Sequence, residues 1–213
     1  MMSTNKTSQK QTAGTTARNS RATVDGVLER LTLDEVASVL RILLDKHPNL
    51  KREAEEIAAG VVSSPSVEAI ADDVCFGVTS LDMDDLNDRA GKHSWGYVEP
   101  AEAAEELLGE AVADYIDDMK RRMDLGLDVA AEAVCVGIVL GLFRASSKES
   151  GGVIEWAPDF PADHASYVIE TYLAKYPKGR RRGTGERLLA ALTASVPEWS
   201  DMFSRITKWS MER

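Results

Sequence analysis

The sequence predicts an all-α protein, an irregular multi-helix bundle or array built from antiparallel helix pairs. Three observations carry this. Apolar residues recur at helical spacing almost continuously after about residue 23. Pro, Gly and Ser punctuation cuts the pattern into helix-sized lengths with short links. No stretch alternates apolar and polar residues between turn signals, so a sheet is not required, and the lack of a fixed-length repeat weighs against a regular solenoid.

Residues 1–22 are rich in Ser, Thr, Asn and Gln, carry Lys6, Lys10, Arg18 and Arg21, and hold no acid. With so little apolar surface to offset its ordering entropy, this stretch reads as a disordered polar and basic tail, followed by a single all-helical domain over 23–213. In LTLDEVASVLRILLDKHPNL, Thr32 and Glu35 have capping-box spacing, and Leu33, Val36, Leu40, Leu43 and Leu44 fall on one face. Pro48 ends that helix, because a proline disfavours the α conformation in the residue before it. A second helix over about 51–62 turns Ala54, Ile57, Ala58 and Val61 inward, making an α-hairpin with the first. Pro65 suits the first position of a third helix, carried by Val67, Ile70, Val74 and Val78.

DMDDLNDRAG reads as a short helical turn closed by Gly91. A long acidic helix then starts at Pro100 on Ala104, Leu107, Leu108, Ala111, Tyr115, Ile116, Met119 and Met123, with Gly126 as its stop. Asp128 opens a nearly all-apolar helix expected at the centre of the bundle. SSKESGGVIEWAPDFP is a loop with a short extended piece at 153–156, and Pro161 restarts a helix on Ala165, Val168, Ile169, Tyr172 and Leu173. KYPKGRRRGTG reads as a basic, glycine-rich connection. Two helices close the chain, one near 186–194 and one from Pro197 with Trp199, Met202, Phe203, Ile206 and Trp209.

Composition narrows function. The 213 residues are 44% hydrophobic, enough for a substantial core, and the formal net charge of -10 disfavours generic nucleic-acid binding, which needs clustered Lys and Arg. Cys75 and Cys135 stand far apart within apolar helical patterns, a usage that fits a reducing cytoplasm. The N-terminus has no apolar core of a secretory signal, and the most apolar run, 134–143, is shorter than the roughly 20 residues a membrane span requires. The chain is expected to be cytoplasmic, with no membrane partner.

Chemistry, where it is sought, centres on GKHSWGYVEP. As a site, His93 offers an imidazole for proton transfer, Trp95 and Tyr97 offer a stacking wall, and Arg89, Lys92 and Glu99 supply charge. Trp156 and His164 come from a second aromatic loop that would complete the same binding pocket. The structural alternative gives Gly91 and Gly96 the bends, lets Trp95 and Tyr97 plug the space beside the long helix, and uses Pro100 to start it. Asp163-His164 otherwise reads as surface capping.

Other constellations fail on spacing. The acids Asp82, Asp84, Asp85 and Asp88 miss the EF-hand frame at Leu86, and no histidine follows a glutamate by three residues, so no metal site is expected. Neither cysteine neighbours a histidine, no Gly-x-Ser-x-Gly elbow exists, and no catalytic residue or cofactor is assigned. PKGRRRGTGER misses the P-loop spacing, leaving Lys178, Arg180, Arg181 and Arg182 as a solvated basic patch or a local grip for an acidic partner, for RNA or for the protein's own acidic face.

LTLDEVASVLRILLDKHPNLKREAEEIA, DLNDRAGKHSWGYVEPAEAAEELL and WAPDFPADHASYVIETY together resemble a group of uncharacterised bacterial all-helical proteins. More distantly, the pattern of helical pair, Gly-Tyr-Val loop and long acidic helix resembles the helical region of bacterial SWIM-type zinc-finger proteins. The Cys-x-Cys pair followed by Cys and His of that finger is missing here. The resemblance implies a helical fold and a bacterial cytoplasmic setting, and it implies no zinc and no catalytic residue.

Between Glu68 and Asp118 the only Lys or Arg residues are Arg89 and Lys92, whereas the N-terminal tail and residues 175–182 are basic. Such polarity suits self-association or a basic partner, and equally solubility alone. The leading expectation is a non-enzymatic protein that binds an unknown protein partner or forms a homo-oligomer. The rivals are a small-molecule or enzymatic site at the His93 loop and a nucleic-acid accessory factor acting through residues 178–182.

Overall fold

A computed structural model describes residues 26–94, 96–148 and 151–212. The expected tail over 1–22 and the aromatic Trp95 lie outside the described residues. Among those described, nine α-helices and one two-stranded hairpin follow in order, an all-α architecture as the periodicity predicts. They are α1 (Leu33–Lys46), α2 (Lys51–Ser63), α3 (Val67–Thr79), α4 (Met83–Arg89), β1 (Gly91–His93) and β2 (Gly96–Val98). After the hairpin come α5 (Pro100–Asp124), α6 (Asp128–Ser146), α7 (Phe160–Ala174), α8 (Lys178–Ser195) and α9 (Ser200–Glu212). The chain divides into two compact units, 1–57 and 58–213, with the boundary inside α2.

In the first unit, α1 starts as its capping box requires. The Thr32 Oγ1 accepts from the Glu35 N–H at 3.4 Å, and the Glu35 carboxylate accepts from the Thr32 N–H at 2.9 Å. The helix ends before Pro48. Among the described residues of this unit only Gly26, Leu31, Ala37, Leu44, Leu50 and Ala54 are half-buried, and neither α1 nor α2 buries a residue. The expected inward faces are therefore corrected. Leu33, Val36, Leu40, Leu43, Ile57 and, past the boundary, Val61 are all exposed.

The second unit is organised around α6. Every residue from Val134 to Leu142 is buried, and the helix packs on α3, α5, α7 and α8. Its closest neighbour is α3, because Gly137 and Gly141, one turn apart, present no side chain there. A methyl group at Gly137 would stand 2.8 Å from the Ile70 Cβ, and one at Gly141 2.7 Å from both the Ala71 carbonyl oxygen and the Val74 Cβ. Burial drives the Cys135 thiol far above its ordinary pKa, which makes it an inert packing group. The helix as a whole is long and apolar enough to cross a membrane, but 67% of its apolar stretch is buried inside the protein.

The other elements start and stop for local reasons. Ser66 caps α3 by accepting from the Ala69 N–H at 3.2 Å, so Pro65 precedes the cap instead of opening the helix. Asp82 caps α4, Pro100 opens α5, and Gly126, at φ 74°, follows its end. Two expectations change. Residues 153–156 form a 3₁₀ turn, with Val153 and Ile154 buried against α5 and α3, where an extended piece was expected. The supposed loop at 178–185 is the first two turns of α8. Glycines and an arginine run score as a link on local propensity; here Pro177 in extended conformation leads in, and tertiary hydrogen bonds hold the turns.

Candidate functional site

The Gly91–Val98 stretch folds as an antiparallel hairpin, pairing Gly91 with Val98, Lys92 with Tyr97 and His93 with Gly96. Positive φ at Gly91 (100°) and Gly96 (154°) makes this ribbon possible. Beside it lies a recess of about 450 Å³ lined by Asp85, Asp88, Arg89, His93, Val98, Glu106 and Leu107. The His93 Nε2–H donates to the Arg89 carbonyl at 2.8 Å, which turns the imidazole toward α4.

Arg89 makes two bonds to Glu110, at 2.7 and 3.0 Å, and stands 3.7 Å from Glu106. Those bonds hold the guanidinium above its ordinary pKa and the Glu110 carboxyl below its own. A fork already occupied by carboxylates has little left for an anionic substrate. The arrangement ties α4 to α5 across the hairpin.

The other aromatic candidates do not line this recess. Tyr97 is 63% exposed, so it plugs no gap beside α5, and Glu99 is an exposed N-cap whose carbonyl accepts from the Ala103 N–H. Trp156 is half-exposed at the end of its 3₁₀ turn. His164 belongs to a different cluster, stacked on Phe160 at 4.6 Å between ring centres and tilted against Tyr167 at 5.4 Å. Its Nε2 is buried without a hydrogen-bond partner, and burial holds its pKa below the ordinary value. This ring is a packed side chain and not the surface cap its neighbour Asp163 suggests.

The basic run has three distinct employments. Arg181 threads back into the protein, donating to the carbonyl of Tyr176 at 2.9 and 3.1 Å, of Ala174 at 3.5 Å and of Ser210 at 3.2 Å. Arg180 pairs with Asp128 at 3.1 Å and lies over the Tyr176 ring, whereas Arg182 pairs with Glu186 one turn on. Lys178 is exposed.

Around Arg180 is a polar cluster the sequence reading passed over. The Tyr176 hydroxyl donates to Asp128 at 3.0 Å, the buried Tyr172 hydroxyl is 3.3 Å from that of Tyr176, and Arg187 grips Glu132 at 2.5 Å. Burial raises the pKa of both phenols, so neither is a ready base. The signal was present as two pairs at i, i+4 spacing, Asp128 with Glu132 and Tyr172 with Tyr176. Each pair sits at a helix end, and together they lock the start of α6 to the α7–α8 corner.

With the recess and the polar cluster committed internally, the exposed apolar face of α1 remains among the described residues. Leu33, Val36, Val39, Leu40, Ile42 and Leu43 are each at least 41% exposed on a helix of only 14 residues. Among the described residues no group of three or more His, Cys, Asp or Glu side chains is placed to hold a metal ion. No protein-family model matches the chain, and no curated protein or solved structure matches it.

Proposed function

We propose that the protein acts by binding another protein through the apolar face of α1, as an interaction module and not as an enzyme. The observation that carries this is the six large apolar side chains left exposed on a helix that buries nothing. Helices of this length gain most of their stability from packing an apolar face, and contiguous exposed apolar surface marks sites of association. The capped start and the stop at Pro48 give the helix fixed ends, so the face presents a defined surface.

The test is a photoreactive residue in place of Leu40, introduced in living cells. Irradiation is expected to join the chain covalently to a polypeptide, and Leu43→Glu, one turn away, is expected to abolish that adduct. Irradiation that yields only the unjoined chain overturns the proposal.

A further inference from the structure

The face of α1 carries a further mark, in the charges along its edge. At about 100° per residue, Val36, Val39, Leu40 and Leu43 form one stripe, and Glu35 and Lys46 fall together on one flank of it. The acid stands in the first turn and the base in the last. Antiparallel packing of two such helices brings like flanks together, so the N-terminal acid of each meets the C-terminal base of the other. Parallel packing about a twofold axis brings unlike flanks together, so Glu35 and Lys46 of the two copies would lie on opposite sides of the seam and stay unpaired across it. The helix dipoles favour the same antiparallel order.

We propose that α1 docks antiparallel on α1 of a second copy of this chain, with Val36, Val39, Leu40 and Leu43 in the seam and Glu35 of each copy facing Lys46 of the other. The twofold axis passes between Leu40 and Arg41, midway between the two charged positions. That axis also brings Val39 of one copy beside Ile42 of the other, and both are exposed in the single chain. Ala37 and Leu44, the half-buried residues of α1, lie on the opposite edge of the apolar arc, so the seam leaves the helix's existing packing intact. Fourteen residues span about 21 Å, which suits a weak, concentration-dependent dimer. The inference rests on the proposed binding role of α1 and names the partner.

The experiment is sedimentation of the full-length protein at rising concentration. Wild type is expected to pass from one chain to two. Leu40→Glu is expected to remain a single chain with unchanged helical content by circular dichroism. Glu35→Lys alone and Lys46→Glu alone are each expected to weaken the dimer about tenfold, about what 1.4 kcal/mol of lost pairing produces. An equimolar mixture of those two variants is expected to recover it, because each copy then carries the complement of the other. Glu35→Gln, which preserves the capping box, separates loss of charge from loss of the cap and is expected to weaken the dimer less than Glu35→Lys.

A dimer indifferent to Leu40→Glu, or a mixture that fails to recover, overturns the proposal. A wild type that stays single throughout also overturns it, and the Leu40 photoadduct then distinguishes two cases. An adduct with a different polypeptide leaves the binding role standing and removes only the second copy; no adduct removes both.

Discussion

His164 shows how one side chain acquires a pH dependence from its neighbours. Its ring is stacked on Phe160 and tilted against Tyr167 with Nε2 buried and unpartnered, and burial places its folded pKa below the ordinary 6.5. The folded state therefore disfavours the protonated ring more than the unfolded chain does. Stability from this site is complete above about pH 6.5 and is lost as pH falls from there through the lower folded pKa. Urea midpoints of wild type and His164→Phe, compared from about pH 8 to about pH 5, are expected to diverge below pH 6.5 with wild type losing more. Parallel curves would show that the ring is solvated. The spacing 160, 164, 167 was legible as one helix face, but the adjacent Asp163 drew attention to the cap instead. A residue's burial depends on neighbours across the helix surface as much as on those beside it in the chain.

At the scale of elements, the approach of α3 to α6 is set by two missing side chains. Gly141 leaves no room for a methyl group against the Ala71 carbonyl and the Val74 Cβ, both in the body of a helix and unable to yield cheaply. Gly141→Ala is expected to cost about 1–3 kcal/mol in chemical denaturation, as overpacking of a tight core does. Gly109→Ala, in α5 with open space around the new atom, is the control and is expected to be neutral or stabilising by up to about 1 kcal/mol. Equal effects at the two positions would mean the helices stand farther apart. Helix interiors were well read from the sequence, since Leu108, Ile116 and Met119 of α5 and Val168, Ile169 and Leu173 of α7 are buried as their periodicity predicts. The start of α8 and the hairpin were not. Both depend on long-range or conformational features that apolar periodicity does not encode: the carbonyls Arg181 reaches, and the positive φ of Gly91 and Gly96.

For the whole molecule, the two units differ in what stabilises them. Residues 58–213 enclose a shared apolar core around α6, whereas α1 leaves its apolar face exposed and buries no side chain. Periodicity in Leu33–Leu44 establishes that a face is apolar, but nothing in the pattern says whether the same chain or another covers it. That ambiguity is why the sequence placed these residues in a core. Hydrogen exchange resolves it, because amide protection reports the free energy of opening at each element. At low protein concentration the α1 amides are expected to exchange far faster than those of α6, whose opening requires disruption of the core. As concentration rises, docking of a second copy must be undone before α1 can open, so its protection is expected to grow by the factor that mass action sets, while that of α6 stays constant. Leu40→Glu is expected to remove the concentration dependence and leave the α6 rates untouched. If α1 is already as protected as α6 at the lowest concentration, its face is covered within a single chain, and no second copy is needed to explain it.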